Sequence, residues 1–258
     1  MFGIPNNLLP AALTATATLI GAFLGACIAQ FFSHRLTLSR EKINGQKVNY
    51  QHLYSPVLLE TFLYYDVSTA FRREDNFVPY FDEDSLLDSI IIHIGKNLMY
   101  APPQIISIYY QITKDKYTHD EAGTGIHKEL YKLQLIEEFL NELSTNNTFD
   151  KINKKNVKKY RTLYHLYQII LVECGDMGKA RKLLSHHFYL SNKKLTKNSN
   201  YKIIKLYYFL FKNYYSLRKK TSTFTDFTTK VAPYIFLRIS KDFEAEKLLK
   251  VLKDLEYE

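Results

Sequence analysis

Tryptophan is absent from this 258-residue sequence, and glycine, proline and cysteine are scarce, at nine, seven and two residues. With one cysteine at position 27 and the other at 174, no intramolecular disulfide framework is available. The scarcity of glycine and proline, together with apolar residues at helical spacing, favours an all-helical domain. The sequence also lacks a phosphate-cradling glycine loop, a Gly-x-Ser-x-Gly elbow and a Cys-x-x-Cys pair.

Charge is missing from residues 8–32, a run of 25 residues whose polar members are three threonines and Gln30. About 20 helical residues cross a hydrocarbon core that is ~30 Å thick. Threonine hydroxyls can bond back to their own helix, so they do not prevent the crossing. The sequence therefore predicts a transmembrane anchor in residues 1–33.

Cleavage of this segment is the competing interpretation. A secretory signal peptide carries basic residues before its apolar run, and Met1–Asn7 contain none. Leu24–Cys27 resembles a bacterial lipoprotein cleavage box, but the residues that follow stay apolar through Phe32. We therefore expect the anchor to remain uncleaved. Basic residues begin at Arg35, so the positive-inside rule predicts a single-pass protein with its N-terminus outside and its C-terminal domain cytoplasmic.

The rest of the chain is predicted to be a juxtamembrane helix at 34–54 and a cytosolic α-helical domain at 55–258. In Ile126–Leu143 an amphipathic stripe includes Leu133, Ile136, Glu137 and Leu140. The apolar segment Tyr201–Leu217 is interrupted by lysines, so a core helix is favoured over a second crossing. The full set of helices predicted within this domain is Val57–Arg73, Ser85–Tyr100, Gln104–Lys116, Ile126–Leu143, Val157–Cys174, Met177–Leu190, Tyr201–Lys220 and Thr225–Tyr257, the last with a break near Pro233.

Charge is distributed unevenly along the chain. Residues 1–150 carry a net charge of −6, residues 151–220 a net +16, and residues 221–258 a net −1. No acidic residue occurs between Met177 and Thr225. The cytosolic domain thus has an acidic part at 55–150, a basic aromatic part at 151–220 and C-terminal helices at 221–258.

The basic part interleaves lysines with tyrosines. Lysines neutralise phosphates and flat rings stack on bases, so this pattern predicts binding of an anionic ligand, either nucleic acid or a nucleotide. Contact with an anionic membrane surface or a protein partner, and the absence of any specific ligand, are the alternatives. The candidate ligand-binding residues are Lys154, Lys155, Lys158, Lys159, Arg161, Tyr164, His165, Lys202 and Lys205.

Small residues recur every four positions in the anchor, at Ala17, Gly21, Gly25 and Ala29. They share one helix face, and small side chains let two helix backbones approach closely in lipid. We therefore expect the protein to form a homo-oligomer through this face.

Arg181-Lys182-Leu183-Leu184-Ser185-His186-His187-Phe188 resembles the Arg-x4–6-His signature of the HEPN family, all-helical domains often found as metal-independent RNases. The resemblance implies that Arg181 steadies a phosphate while His186 handles a proton as catalytic residues. Lys182 departs from the small polar residue that the family usually has after its arginine.

Tyr160-Arg161-Thr162-Leu163-Tyr164-His165 resembles a segment of membrane-anchored bacterial proteins identified as phage abortive-infection proteins. That group also places a helical cytosolic region after N-terminal membrane helices, although many members have two crossings. The resemblance implies a role in antiviral defence at the bacterial inner membrane.

No cofactor and no metal site are expected. His119, Asp120, Glu121 and His127 lie close together in sequence, but no second carboxylate–histidine set supports a metal centre. The favoured hypothesis is a non-enzymatic membrane-tethered sensor or effector that binds an anionic ligand. The alternatives are a membrane-tethered RNase that uses Arg181 and His186, and an adaptor that docks a protein partner.

Overall fold

The structure is a computed structural model that describes residues 9–69, 82–114, 126–145, 151–217, 231–241 and 244–254. Within these ranges every named element is a helix, and the one extended pairing is a bridge between Leu190 and Ser240. The all-α prediction is therefore confirmed. The chain divides into two compact units, Met1–Val48 and Asn49–Glu258. The predicted loops at 75–81 and 117–125, which include His119, Asp120 and Glu121, lie outside the described residues.

Helix α1, Leu9–Asn49, forms the first unit and runs without interruption from the apolar segment into the basic one. Its 41 residues extend over roughly 60 Å at ~1.5 Å per residue. The hydroxyls of Thr14 and Thr18 donate to the carbonyl oxygens of Pro10 and Thr14 at 2.9 and 2.8 Å. In the described part of the chain, α1 is the one helix long and apolar enough to cross a membrane, judged by length and composition.

The second unit begins with a π-helical turn at Tyr50–Tyr54, and short 3-10 turns at Leu98–Tyr100 and His187–Tyr189 punctuate the helices that follow it. Asp82 and Asp176 cap two helices by accepting backbone hydrogen bonds at 3.0 and 2.7 Å. The helices are α2 (Leu58–Ser68), α3 (Glu83–Lys96), α4 (Pro103–Lys114), α5 (Ile126–Thr145), α6 (Lys151–Cys174), α7 (Met177–Leu184), α8 (Asn192–Leu195), α9 (Asn198–Leu217), α10 (Ala232–Ile239) and α11 (Ala245–Asp254).

Helix α6 lies at the centre of the second unit, and every residue from Tyr160 to Leu171 is buried. It pairs most extensively with α5 and also contacts α2, α7, α8 and α9. The helix ends at Gly175, whose φ of +64° lies in the left-handed region that other residues rarely adopt.

An aromatic cluster joins α6 to α2. The ring of Tyr65 meets the rings of Tyr160, Tyr164 and Tyr167 edge-on, with centroids 6.0, 5.4 and 6.3 Å apart. Such edge-on pairs stabilise a core beyond their area burial. The Tyr164 hydroxyl also donates to the carbonyl oxygen of Thr61 at 2.5 Å. Many of the tyrosines of the basic part therefore belong to the core.

Several predicted helices are wrong in extent. Val57–Arg73 ends at Ser68, and Ser85–Tyr100 ends as an α-helix at Lys96. The helix predicted at Met177–Leu190 ends at Leu184, and the described part of Thr225–Tyr257 holds two helices with Ser240 in an extended conformation between them. The backbone N–H groups of Ser191 and Lys241 donate to Ile239 and Tyr189 at 2.8 Å each. These two segments satisfy their backbone groups against each other, so neither continues as a helix. Pro233 lies in the first turn of α10, where its missing N–H costs nothing.

Candidate functional site

A polar stripe follows one face of the buried helix α6. Arg161, His165 and Gln168 are spaced by four and three residues, so they share a face, and each is at most 3% exposed. The neighbouring positions are almost all apolar or aromatic. A polar group buried without a partner costs free energy, so each member of this stripe needs a hydrogen-bond partner.

Arg161 has its partners within the protein. Its Nη1 donates to Asn141 Oδ1 at 3.2 Å and to Ser144 Oγ at 2.5 Å, and its Nη2 donates to Asn198 Oδ1 at 3.0 Å. The guanidinium also lies over the ring of Tyr201, 3.7 Å from its centroid. Burial lowers the pKa of Arg161 below its ordinary value. The side chain thus joins α5, α6 and α9 in one polar network.

Glu137 on α5 faces His165 and is only 5% exposed. The hydroxyl of Tyr201 donates to its Oε1, and Lys205 Nζ lies 3.9 Å from the same oxygen. Lys205 also donates to the Tyr201 hydroxyl at 3.3 Å. On the other side, His165 Nδ1 lies 3.8 Å from Glu137 Oε2, which is longer than a hydrogen bond. Glu137 is therefore held from both sides by side chains of α6 and α9.

The charge state of this group follows from its neighbours. Burial on its own raises the pKa of Glu137, but His165, Lys205 and the Tyr201 hydroxyl outweigh it and leave the pKa below its ordinary value of 4.5. Burial and the adjacent Glu137 carboxylate raise the pKa of Tyr201 above its ordinary value. Glu137 is thus a carboxylate at neutral pH, and Tyr201 keeps the proton that it donates.

Nε of Arg161 lacks a hydrogen-bond partner among the described residues, but His165 lacks partners on its whole side chain. Within the described part of the chain, neither of its ring nitrogens has a hydrogen-bond partner, although the side chain is 2% exposed. The rings of Tyr201 and Tyr208 stand edge-on to it at 5.7 Å each, and the Tyr208 hydroxyl also lacks a partner there. An unpaired buried donor or acceptor costs ~1–3 kcal/mol. Other described residues also hold buried atoms without a partner, among them the hydroxyls of Tyr64 and Tyr65, but those of His165 and Tyr208 belong to side chains that line a pocket.

The pocket is a cleft of about 600 Å³ bordered by four helices. This volume lies within the ~300–1,000 Å³ range of small-molecule sites. The deep wall is the buried side of the lining, with Glu137, His165, Gln168 and the half-buried Tyr208. The outer wall is the exposed side, with Lys202, Lys205, Leu206 and Phe209 of α9. The lining residues are Ile108 from α4, Gln134, Glu137 and Glu138 from α5, His165 and Gln168 from α6, and Lys202, Lys205, Leu206, Tyr208 and Phe209 from α9.

Helix α9 presents two faces. Tyr201 and Ile204 are buried, whereas Lys202, Lys205 and Phe209 are exposed and line the pocket at helical spacing. A surface with ammonium groups at one end and an aromatic ring at the other can bind a ligand that carries both negative charge and a flat apolar part.

Three of the nine predicted ligand-binding residues line the pocket, namely His165, Lys202 and Lys205, and Arg161 lies beside them over the ring of Tyr201. Tyr164 is placed differently from the prediction, because it is fully buried against α2 and belongs to the core. The other four predicted residues occupy the first turns of α6 and do not line the pocket, namely Lys154, Lys155, Lys158 and Lys159.

Arg181, predicted as a catalytic residue, is engaged in a contact between α7 and α3. Its Nη1 donates to Glu83 Oε1 at 2.6 Å, its Nη2 to Asp84 Oδ1 at 3.3 Å and its Nε to the Tyr167 hydroxyl at 3.1 Å. His186 Nδ1 lies 3.1 Å from the carbonyl oxygen of Lys182. The guanidinium of Arg181 is thus already neutralised by two carboxylates, and a catalytic role for this pair stays a prediction.

Several residues of the pocket lining were not predicted as site residues, namely Glu137, Gln168, Tyr208 and Phe209. A signal existed for Glu137, because it is an acidic residue within the apolar stripe of its helix. The other three carry no such signal in a region rich in tyrosine and lysine. Among the described residues no group of three or more His, Cys, Asp or Glu is placed to hold a metal ion.

No protein-family model, curated protein or solved structure matches this chain.

Proposed function

We propose that this protein is a membrane-anchored, self-associating sensor or effector that binds an anionic ligand in the pocket between α5, α6 and α9. The anchor is α1, with the second unit in the bacterial cytoplasm. The resemblance of residues 160–165 to abortive-infection proteins favours anti-phage defence as the biological setting. No atom lies within 4 Å of the position that a side chain would take at Gly21 or Gly25, so this face is open to a second copy.

One observation carries the ligand-binding proposal. His165 is 2% exposed, lines the pocket and has no hydrogen-bond partner on either nitrogen among the described residues. Natural proteins satisfy nearly all such groups, so a buried histidine without a partner beside a pocket calls for an explanation. A ligand seated in the pocket supplies the missing partner.

The charges of the pocket favour an anion. Glu137 is occupied by the Tyr201 hydroxyl, Lys205 and His165, so a cationic ligand would have to displace these partners. The Lys205 side chain is 48% exposed and Lys202 is exposed on the same face of α9. Lys205 lies 3.9 Å from Oε1 of Glu137, which Tyr201 also contacts, and α9 itself carries no carboxylate beside the two lysines. Both lysines are placed to bind negatively charged oxygens.

Calorimetry on the full chain in lipid nanodiscs tests the proposal, with inorganic triphosphate as the probe. We expect binding that weakens as salt is added, since the contacts are partly exposed. The double change Lys202→Gln/Lys205→Gln should lower the affinity by about tenfold or more, because a charge-assisted hydrogen bond contributes ~1.5–3 kcal/mol.

Lys250→Gln/Lys253→Gln is the matched control, because it removes the same charge from exposed positions of α11, outside the pocket lining. It should change the affinity less than about twofold, as expected for long-range screened charges. Equal losses in the two variants, or no binding of triphosphate at low salt, would contradict the proposal. If the protein bound the cation spermidine instead of triphosphate, and Glu138→Gln abolished that binding, the ligand of this pocket would be a cation and not an anion.

A further inference from the structure

We infer that the ligand is a nucleoside phosphate, with its phosphates on Lys202 and Lys205 and its base against Phe209 and the wall formed by His165. This inference rests on the proposed function and names the chemical class of its ligand. It is carried by the order of groups along α9, by the exposed ring of Phe209 and by the unpaired polar atoms of the deep wall.

The order of groups along α9 matches the two ends of a nucleotide. Lys202 and Phe209 are seven residues apart on the same face, which corresponds to about 10 Å along a helix. Lys205 and Leu206 lie between them and also line the pocket. A nucleotide has the same arrangement, with its charge at one end and its flat base at the other.

Phe209 supplies a stacking surface. Its side chain is 59% exposed although it is a large apolar ring, and it borders a concave site. Any nucleic-acid base can stack on an aromatic ring, because every base has a π face. Ile108 and Leu206 add aliphatic surface to the same pocket. A phosphate alone would leave this apolar surface without a partner.

The unpaired atoms of the deep wall fit the edge of a base better than a phosphate. They are both ring nitrogens of His165 and the hydroxyl of Tyr208. A neutral imidazole offers one donor and one acceptor, and a phenol hydroxyl offers both functions. A fully ionised phosphate has acceptors only, so it would leave the acceptors of this wall unsatisfied. The edge of a base presents donors and acceptors side by side, and the amide of Gln168 lies on the same wall.

The size of the pocket favours a single nucleotide over a polymer. A cleft of about 600 Å³ lies in the range of small-molecule sites. Single-stranded nucleic acids occupy extended grooves of several nucleotides instead. The lysines that would extend such a groove, Lys154 and Lys155, do not line the pocket.

The test compares inorganic triphosphate with the four ribonucleoside triphosphates on the full chain in nanodiscs, by calorimetry. The best nucleoside triphosphate should bind about tenfold or more tighter than triphosphate, since stacking adds to the same phosphate contacts. Phe209→Leu should remove most of this preference and weaken triphosphate binding far less than nucleotide binding. Lys202→Gln/Lys205→Gln should weaken both probes. Tyr207→Leu changes an exposed aromatic residue of the same helix outside the pocket lining, so it should leave both affinities unchanged.

His165→Gln tests the polar wall, and a thermal unfolding curve establishes whether that variant folds. If it does not fold, Phe209→Leu decides, because Phe209 is exposed and its loss leaves the core intact. Equal affinities for triphosphate and every nucleotide would overturn this inference and leave the proposed function standing. A single-stranded RNA hexamer that binds more tightly than any mononucleotide would also overturn it, in favour of a polymer. No binding of any probe would overturn both.

Discussion

Nδ1 of His165 lies 3.8 Å from Oε2 of Glu137, with 3% and 6% of the two side chains exposed. This pair joins the central helix α6 to α5 beneath the pocket. A buried carboxylate is costly unless its oxygens are paired, and here one oxygen faces Tyr201 and Lys205 while the other faces His165. The stability of the fold therefore depends on the charge of Glu137 in the pocket wall.

Glu137→Gln should flatten the pH dependence of stability on the acid side. The folded protein holds the pKa of Glu137 below its ordinary value of 4.5, so the unfolded chain binds this proton first as the pH falls. The stabilisation is complete above about pH 5 and is lost as the pH falls through the folded pKa. Urea unfolding of the full chain between about pH 3 and pH 7, followed by tyrosine fluorescence, measures the slope.

Glu173→Gln is the control, and it should change the pH dependence of stability in the opposite direction. The ordinary pKa of this carboxyl is 4.5, and burial raises the pKa of Glu173 to about 8. Wild-type stability therefore falls as the pH rises from about 4.5 towards 8. Removing the carboxyl group should make the variant relatively more stable at pH 8. If both variants kept the wild-type pH profile, the assigned environments of these two carboxyls would be incorrect.

Arg181→Lys should destabilise the protein by ~1.5–3 kcal/mol, because lysine cannot reach Glu83, Asp84 and Tyr167 together. His186→Ala should change the unfolding free energy by less than ~0.5 kcal/mol, since the side chain is only half-buried. RNase assays on both variants complete the comparison. An RNase activity of the wild type that both changes abolish without loss of folding would support the HEPN-type alternative over the binding function.

Gly95→Ala should destabilise the protein by ~1–3 kcal/mol through overpacking. A methyl group at this position of α3 would overlap the phenol ring of Tyr109 on α4. Gly45→Ala is the control, since nothing lies within 4 Å of its side-chain position and alanine favours a helix interior by ~0.5–1 kcal/mol. Chemical unfolding of the two variants side by side checks this, and equal effects would mean that α3 and α4 do not approach closely here.

Gly21→Leu/Gly25→Leu should weaken self-association several-fold in a bacterial membrane two-hybrid assay, because bulky side chains hold helix backbones apart. Thr16→Leu/Ala26→Leu adds bulk to the other side of α1, at least about 100° around the helix from Gly21 and Gly25, and should leave the signal unchanged. Association that survives the glycine changes would place the contact between copies in the second unit.

The all-α architecture followed from sequence because long runs of helical spacing and few glycines and prolines leave little alternative. The ends of α7 and α10 did not follow, because they are set by hydrogen bonds between Ser191 and Ile239 and between Lys241 and Tyr189, which are distant in sequence. Such pairing has no local signature.

Only part of the candidate site could be predicted from the sequence. The lysines and tyrosines of the basic part were recognisable as candidate ligand-binding residues. Which of these tyrosines belong to the core, however, depends on the packing of α2 against α6. Tyr164 and Tyr208 are both tyrosines at helical spacing, yet one is fully buried and the other borders the pocket. Glu137 comes from the acidic part of the chain, and tertiary folding alone brings it beside His165.

Lysine footprinting tests the central claim most directly. The full chain in nanodiscs is acetylated with and without inorganic triphosphate, and mass spectrometry gives the modification rate at each lysine. We expect Lys202 and Lys205 to be protected by the anion, while Lys154, Lys155, Lys250 and Lys253 react at unchanged rates. Protection confined to Lys154 and Lys155, or no protection at any lysine under conditions where triphosphate binds, would contradict an anion site in this pocket.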